Sequence, residues 1–171
     1  MMRVGCSVLL LLACSQAVAK PVTGVARLAC ADVQGIAHSV YDPGQSPDDD
    51  MVWLQQNIEI RGKSGSLTLP SERGQTTVDK AGKAGLSAFV ASWACVQGSN
   101  GAHYLWLDYG CARDQLDGVC HGEKEWLRLF SLDGRKMDAG YMPQDPRYED
   151  LYRKLGVKTE SVQMESAVPL R

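Results

Sequence analysis

Four cysteines, Cys30, Cys95, Cys111 and Cys120, remain once an N-terminal leader is set aside, and their pairing limits every fold open to this chain. The leader reading rests on residues 1–19. Arg3 supplies a positive start, residues 8–13 (VLLLLA) an unbroken apolar run, and Ala17-Val18-Ala19 the small residues a signal peptidase reads. The apolar stretch falls short of the about 20 residues a membrane-spanning helix needs. Leu11-Leu12-Ala13-Cys14 also resembles a lipobox, which would lipidate Cys14 and tether the domain to a membrane. Cleavage after Ala19 satisfies both the length of the apolar run and the A-x-A site, so it is the expectation here. On either reading the domain is exported, to the periplasm of a bacterial cell.

An exported chain meets an oxidising compartment, where an even set of cysteines reads as disulfides. Four cysteines allow three connectivities and the sequence alone does not fix one; the pairs expected are Cys111–Cys120 and Cys30–Cys95. The first closes a loop rich in turn residues around Asp117-Gly118. Loop-closure entropy assigns about 2.7 kcal/mol to that bridge and about 4.3 kcal/mol to the longer one. A zinc site built from Cys95, Cys111, Cys120 and His121 is the competing use. The chain contains no C-x-x-C pair, so neither a zinc ribbon nor a thioredoxin-type site is expected.

The rest of the chain reads as short strands broken by turns. Residues 25–40 form one extended segment, and residues 42–50 (DPGQSPDDD) a loop. Residues 51–61 alternate, with Val52, Leu54, Ile58 and Ile60 on one face and Trp53, Gln55, Asn57, Glu59 and Arg61 on the other; Gln56 interrupts the apolar face. A turn at residues 62–65 leads into a short strand ended by Pro70. Residues 71–85 are a loop with room for one short element. Residues 86–96 read as a strand, although their alanines also permit a helix, and residues 103–109 as a strand, the two joined by a Ser99-Asn100-Gly101 turn. Residues 125–131 and 136–141 form a hairpin about Asp133-Gly134, with Phe130 facing Met137, Arg128 facing Ala139 and Trp126 facing Tyr141. Asp145-Pro146 then starts a helix whose Tyr148, Leu151, Tyr152 and Leu155 share one stripe, closed by Gly156. Residues 157–171 show no periodicity and read as a flexible tail.

The fold expected is mainly β: an antiparallel sheet, small barrel or sandwich of hairpins, one C-terminal helix and two disulfides. Its organisation is a leader over residues 1–19, one domain over 20–156 and a tail. The formal net charge of -2 becomes one unit more negative without Arg3, which leaves no electrostatic footprint for nucleic acid.

No motif carries an obvious chemistry. Gly62-Lys63-Ser64 lacks the upstream glycine of a phosphate-binding loop, with Asn57 in its place, and joins two strands instead of opening a helix. Asp48, Asp49 and Asp50 lack the spacing of a calcium loop and read as a solvated acidic tip suited to a cationic partner. His38, His103 and His121 are isolated, and no nucleophile elbow accompanies them. His121, beside Cys120 and two residues before Glu123, is the one histidine with an acidic companion close in sequence. Trp53 stands on the polar face of its strand and reads either as an exposed aromatic of a binding surface or as a strand-end ring covered by the preceding loop. The expected partner-binding set is therefore Asp48, Asp49, Asp50, Trp53, His121 and Glu123, with no catalytic residue, metal or cofactor. The function expected is a non-enzymatic binding protein of the envelope, an inhibitor or immunity-type protein with a protein partner. The alternatives are a small hydrolase using His121 and Glu123, or a structural lipoprotein anchored through Cys14.

Overall fold

The computed structural model describes residues 20–43, 51–72, 76–78, 84–111, 125–139 and 145–169. Strands β1 (Val22–Cys30), β2 (Val33–Asp42), β3 (Val52–Gly62) and β4 (Gly65–Thr68) form an antiparallel sheet in chain order. A second antiparallel sheet takes the order β10-β7-β8-β9, from β7 (Ala88–Gln97), β8 (His103–Cys111), β9 (Glu125–Ser131) and β10 (Glu165–Ser166). β5 (Thr76–Val78) and β6 (Ala84–Leu86) pair as a small ribbon, and α1 (Arg147–Leu155) is the single α-helix among the described residues. The expected mainly-β, antiparallel architecture with one helix is present. The barrel is not: neither sheet closes on itself, since β1 and β4 end the first and β10 and β9 the second.

The two sheets pack face to face. Leu28, Ala37, Ile58 and Ile60 of the first meet Val90, Trp93, Leu105, Leu107 and Phe130 of the second in one buried cluster. Trp93 lies at its centre, fully buried, and packs so close to β2 that a side chain at Gly35 would meet its ring. The Cys30–Cys95 disulfide joins the end of β1 to β7, as expected from the cysteine count. It is the one bridge with both sulfurs among the described residues. Cys111 ends β8, and its expected partner Cys120 lies outside them.

Gln56, the residue that broke the apolar face in sequence, lies inside this core and its amide is satisfied. Its Oε1 accepts the Val90 N–H at 2.6 Å and its Nε2 donates to the Val90 carbonyl at 3.0 Å. Val90 stands at an irregularity in β7, where the register against β8 skips Ala91. The side-chain amide thus pairs with the backbone of the opposite sheet, which removes the penalty of burying it.

Four expectations from the sequence change. Residues 25–40 hold two strands, not one: Cys30 pairs with Val33 across a two-residue turn in which Ala31 takes φ 52. Such turns usually show glycine, asparagine or aspartate at the positive-φ position, and alanine gives no such signal. In β3, Tyr41 pairs with Trp53 but Val40 pairs with Gln55, so Leu54 is an extra residue, a bulge. One inserted residue reverses the side-chain phase on one side of it. Trp53 therefore points inward with only 3% exposure, stacked on Phe89 with ring centroids 4.4 Å apart.

The hairpin after β9 also differs from the expectation. Gly134 takes φ 83 and Asp133 is not in the positive region, so the turn is not the two-residue type. Ser131 donates its N–H to the Arg135 carbonyl around a three-residue loop, and Phe130 faces Lys136 instead of Met137. Among the described residues 136–139 no strand continues beyond that bridge, because the Asp138 carboxylate accepts the Leu129 N–H that a strand would have bonded (3.3 Å); residues 140 and 141 of the expected strand lie outside the described residues. Finally, residues 157–169, read as a flexible tail, are packed. β10 pairs with β7, the Ala167 N–H donates to Ala91 at 3.0 Å, and Ala167 is fully buried. The segment contacts the sheet through single residues between polar ones, so it lacks the periodicity that marks a regular element.

Candidate functional site

The second sheet is buried on both faces. Along β8, Leu105, Leu107 and Tyr109 face the first sheet, while Tyr104 and Trp106 face α1. This is why HYLWLDY reads as nearly continuous apolar sequence and not as a clean alternation. α1 lies on the outer face, burying Tyr148 and Tyr152 against Ala94, Val96, Trp106 and Leu129. Its entry is fixed by Asp145, whose Oδ1 accepts the Arg147 N–H at 2.9 Å with Pro146 between them. Its exit is fixed by Gly156 at φ 66, whose N–H bonds back to the Arg153 carbonyl.

Where α1 begins, the outer face is not fully covered. A groove of about 620 Å³ opens there, bounded by β8, β9, the first turns of α1 and the segment from Thr159 to Met164. Its aromatic walls are Trp106, Tyr148 and Tyr152, β9 borders it at Trp126, whose ring turns inward onto Tyr109, and its acids are Asp108, Glu125, Asp145 and Glu149. No lysine or arginine lines it among the described residues.

The four acids are not equivalent. Asp145 is committed to Arg147, which holds its carboxyl below the usual aspartate range. Glu125 and Glu149 lie on the exposed rim. Asp108 is the interior one. Burial raises its carboxyl above the usual range, the Ser92 hydroxyl donating at 2.8 Å works against that rise, and the Glu125 charge adds to it. Among the described residues no cation is within ion-pair distance of Asp108, Glu125 or Glu149. Negative charge is therefore held there without a counter-charge from those residues.

Polar atoms in the groove wall are left over as well. The indole N–H of Trp106 is buried and has no acceptor among the described residues. Trp106 and Tyr152 are neighbours, ring centroids 5.2 Å apart, yet their polar atoms do not meet hydrogen-bond geometry.

A second cluster lies behind the groove. Arg128, only 4% exposed, gives Glu72 two hydrogen bonds of 2.8 and 3.2 Å and donates to the Tyr148 hydroxyl. Lys136 bonds the same Glu72 carboxylate at 3.0 Å, and the fully buried Asp138 lies 3.9 Å from both cations. Burial would raise the Glu72 carboxyl, but Arg128 and Lys136 outweigh it and hold it below the usual glutamate range. Each charge in this cluster meets opposite charge, so it reads as a fastener between the end of the first sheet, β9 and α1. Sequence alone pointed to neither cluster. The available signal was Arg128 between Trp126 and Phe130, a charge on the inward face of an alternating strand.

Of the expected site residues, Trp53 is the one the structure describes, and it lies in the core, away from the groove. Asp48, Asp49, Asp50, His121, Glu123 and Cys14 lie outside the described residues. Of the two other histidines, His38 lies on the exposed face of the first sheet, 3.4 Å from Glu59. Cys95 is spent on its disulfide, which removes it from the zinc set considered above. Among the described residues no three His, Cys, Asp or Glu side chains are grouped to hold a metal ion.

What fold and groove define together is a two-sheet β domain capped by one helix, with an acidic, aromatic-walled cleft at the helix entry. Comparison of the chain with protein families, with curated proteins and with solved structures finds no match.

Proposed function

We propose that the protein is an exported binding protein of the bacterial envelope, an inhibitor or immunity-type protein that acts by occupying a partner protein. The observation that carries this reading is the groove at the entry of α1, where unpaired carboxylates stand among aromatic walls. Concave aromatic surfaces with a few convergent polar groups are where proteins take ligands. Acidic surfaces also speed encounter with basic partners and exclude acidic ones. Removal of the leader after Ala19 and a Cys111–Cys120 bridge beside β8 belong to the same proposal. The competing hydrolase, with His121 and Glu123 as its acid-base pair, gains no support from the described residues.

The test is photo-crosslinking in intact envelopes. A benzophenone side chain replacing Met164, at the groove rim, is expected to yield one discrete protein adduct. The same group replacing His38, on the far sheet, is expected to yield none. Equal adducts from both positions, or none from position 164, would sink the proposal.

A further inference from the structure

We infer that the groove accepts a lysine or arginine side chain carried on an extended segment of the partner, with the ammonium or guanidinium group seated between Asp108 and Glu125. This rests on the binding reading above and adds the chemistry of the occupant. Three observations converge on it.

The first is charge. Asp108 and Glu125 lie in the same groove, repel one another, and have no cation beside them among the described residues. A cation placed between two carboxylates relieves that repulsion and supplies donors to oxygens that can each accept more than one bond. Ser92 already occupies one lone pair of Asp108 Oδ2 and so fixes the carboxylate plane, leaving Oδ1 for an incoming donor.

The second is the aromatic wall. Trp106, Tyr148 and Tyr152 line the groove together with the acids. Ring faces attract cations, and more strongly where water is excluded. An apolar stem leading to a charged head matches such a wall, and lysine and arginine have that form.

The third is the indole N–H of Trp106, buried in the groove wall beside Tyr152 without a bond that meets hydrogen-bond geometry. It is a donor, so it calls for an acceptor, which a bare metal ion or an alkylammonium does not offer. A main chain bearing a basic residue supplies both parts, a carbonyl acceptor and a cation. A volume of about 620 Å³ suits one long side chain with its adjoining backbone.

The experiment uses the full exported protein, purified oxidised, and follows tryptophan fluorescence during titration. The probes are a blocked pentapeptide with a central lysine among alanines, its norleucine counterpart, n-butylamine and spermidine. The lysine peptide is expected to bind saturably, at least roughly tenfold tighter than the norleucine peptide and more weakly as salt rises. The double variant Asp108→Asn, Glu125→Gln is expected to lose that tenfold preference while unfolding at the same temperature or above. n-Butylamine, which has the cation and no carbonyl, is expected to bind more weakly than the lysine peptide. Equal binding of lysine and norleucine peptides would overturn the cationic occupant and leave the binding reading intact. Spermidine binding as tightly as the peptide would overturn the peptide occupant in favour of a free polyamine. No peptide binding together with an adduct at position 164 would overturn this inference alone. Peptide binding without that adduct would overturn only the envelope partner.

Discussion

The two sheets are built from similar lengths of strand but live in different surroundings. The first has one face in the core and carries Arg27, Gln34, His38, Glu59 and Arg61 on the other, linked by short polar contacts such as Arg27 to Gln34 at 3.0 Å. The second is sandwiched between the first sheet and α1, so β8 buries Tyr104, Leu105, Trp106, Leu107 and Tyr109 in succession. One-sided sheets alternate in sequence, and two-sided sheets do not. The difference locates function too. A sheet that must be covered on both faces can leave a gap where its cover begins, and the acidic groove is that gap at the entry of α1. The first sheet meets its partner through Trp93, and its other face sets polar residues around the fully buried Ile36.

Variants can break this comparison in order of expected size. Trp93→Ala removes the side chain that both sheets share, and is expected to lower unfolding free energy by about 3–5 kcal/mol. Chemical denaturation followed by the remaining tryptophans measures it. A loss near zero would mean that the sheets do not depend on one another.

Next comes the fastener. Arg128→Met leaves Glu72 and Asp138 facing each other beside Lys136 alone, and is expected to lower stability by about 3 kcal/mol. Its pH signature has a definite sign. Glu72 titrates below its ordinary value of 4.5 in the fold, so its stabilisation is complete above that value and is lost as pH falls from there through the lower folded value. Denaturation curves of the wild type are expected to weaken on acidification below about pH 4.5, and Glu72→Gln to flatten that slope. An unchanged slope would show that the carboxylate gains nothing from its two cations.

The smallest effect has the opposite sign. The Asp108 carboxyl titrates above its ordinary 3.8, so the fold resists its charge, and its contribution to stability is lost as pH rises through the folded value. Asp108→Asn, which keeps an oxygen for the Ser92 hydroxyl, is expected to leave melting at pH 7 unchanged or slightly higher. The half-buried carboxyl is partly screened by water, so the gain stays under about 1 kcal/mol. A clear loss of stability would make Asp108 a structural residue and weaken its place in the site.

These regions also differ in how well the sequence disclosed them. Local signals carried the hairpin at residues 62–65, the Ser99-Asn100-Gly101 turn and the entry and exit of α1, because each depends on a few neighbouring residues. That the cysteines form disulfides was legible from compartment and count, but the Cys30–Cys95 pairing was one of three open to four cysteines and depends on the two sheets meeting face to face. What stayed hidden depended on partners remote in sequence or on one-residue shifts. The bulge at Leu54 leaves no mark in composition, yet it turned Trp53 from a surface aromatic into core. The turn at Ala31 uses a residue that rarely takes positive φ. The groove is built from β8, β9, α1 and the segment after it, and no single stretch of sequence holds more than part of it. Asp108 looked like one polar residue in an aromatic strand until Ser92, Glu125 and the helix were placed around it.

Amide hydrogen exchange with and without the central-lysine peptide tests the account most directly. Without peptide, the β8 amides are expected to exchange only through global unfolding, and those of β1 and β4 faster, through local opening. With peptide, added protection is expected in β8, β9 and the first turns of α1, with β1 to β4 unchanged. Slowest exchange in β1 or β4, or peptide protection confined to the first sheet, would contradict it.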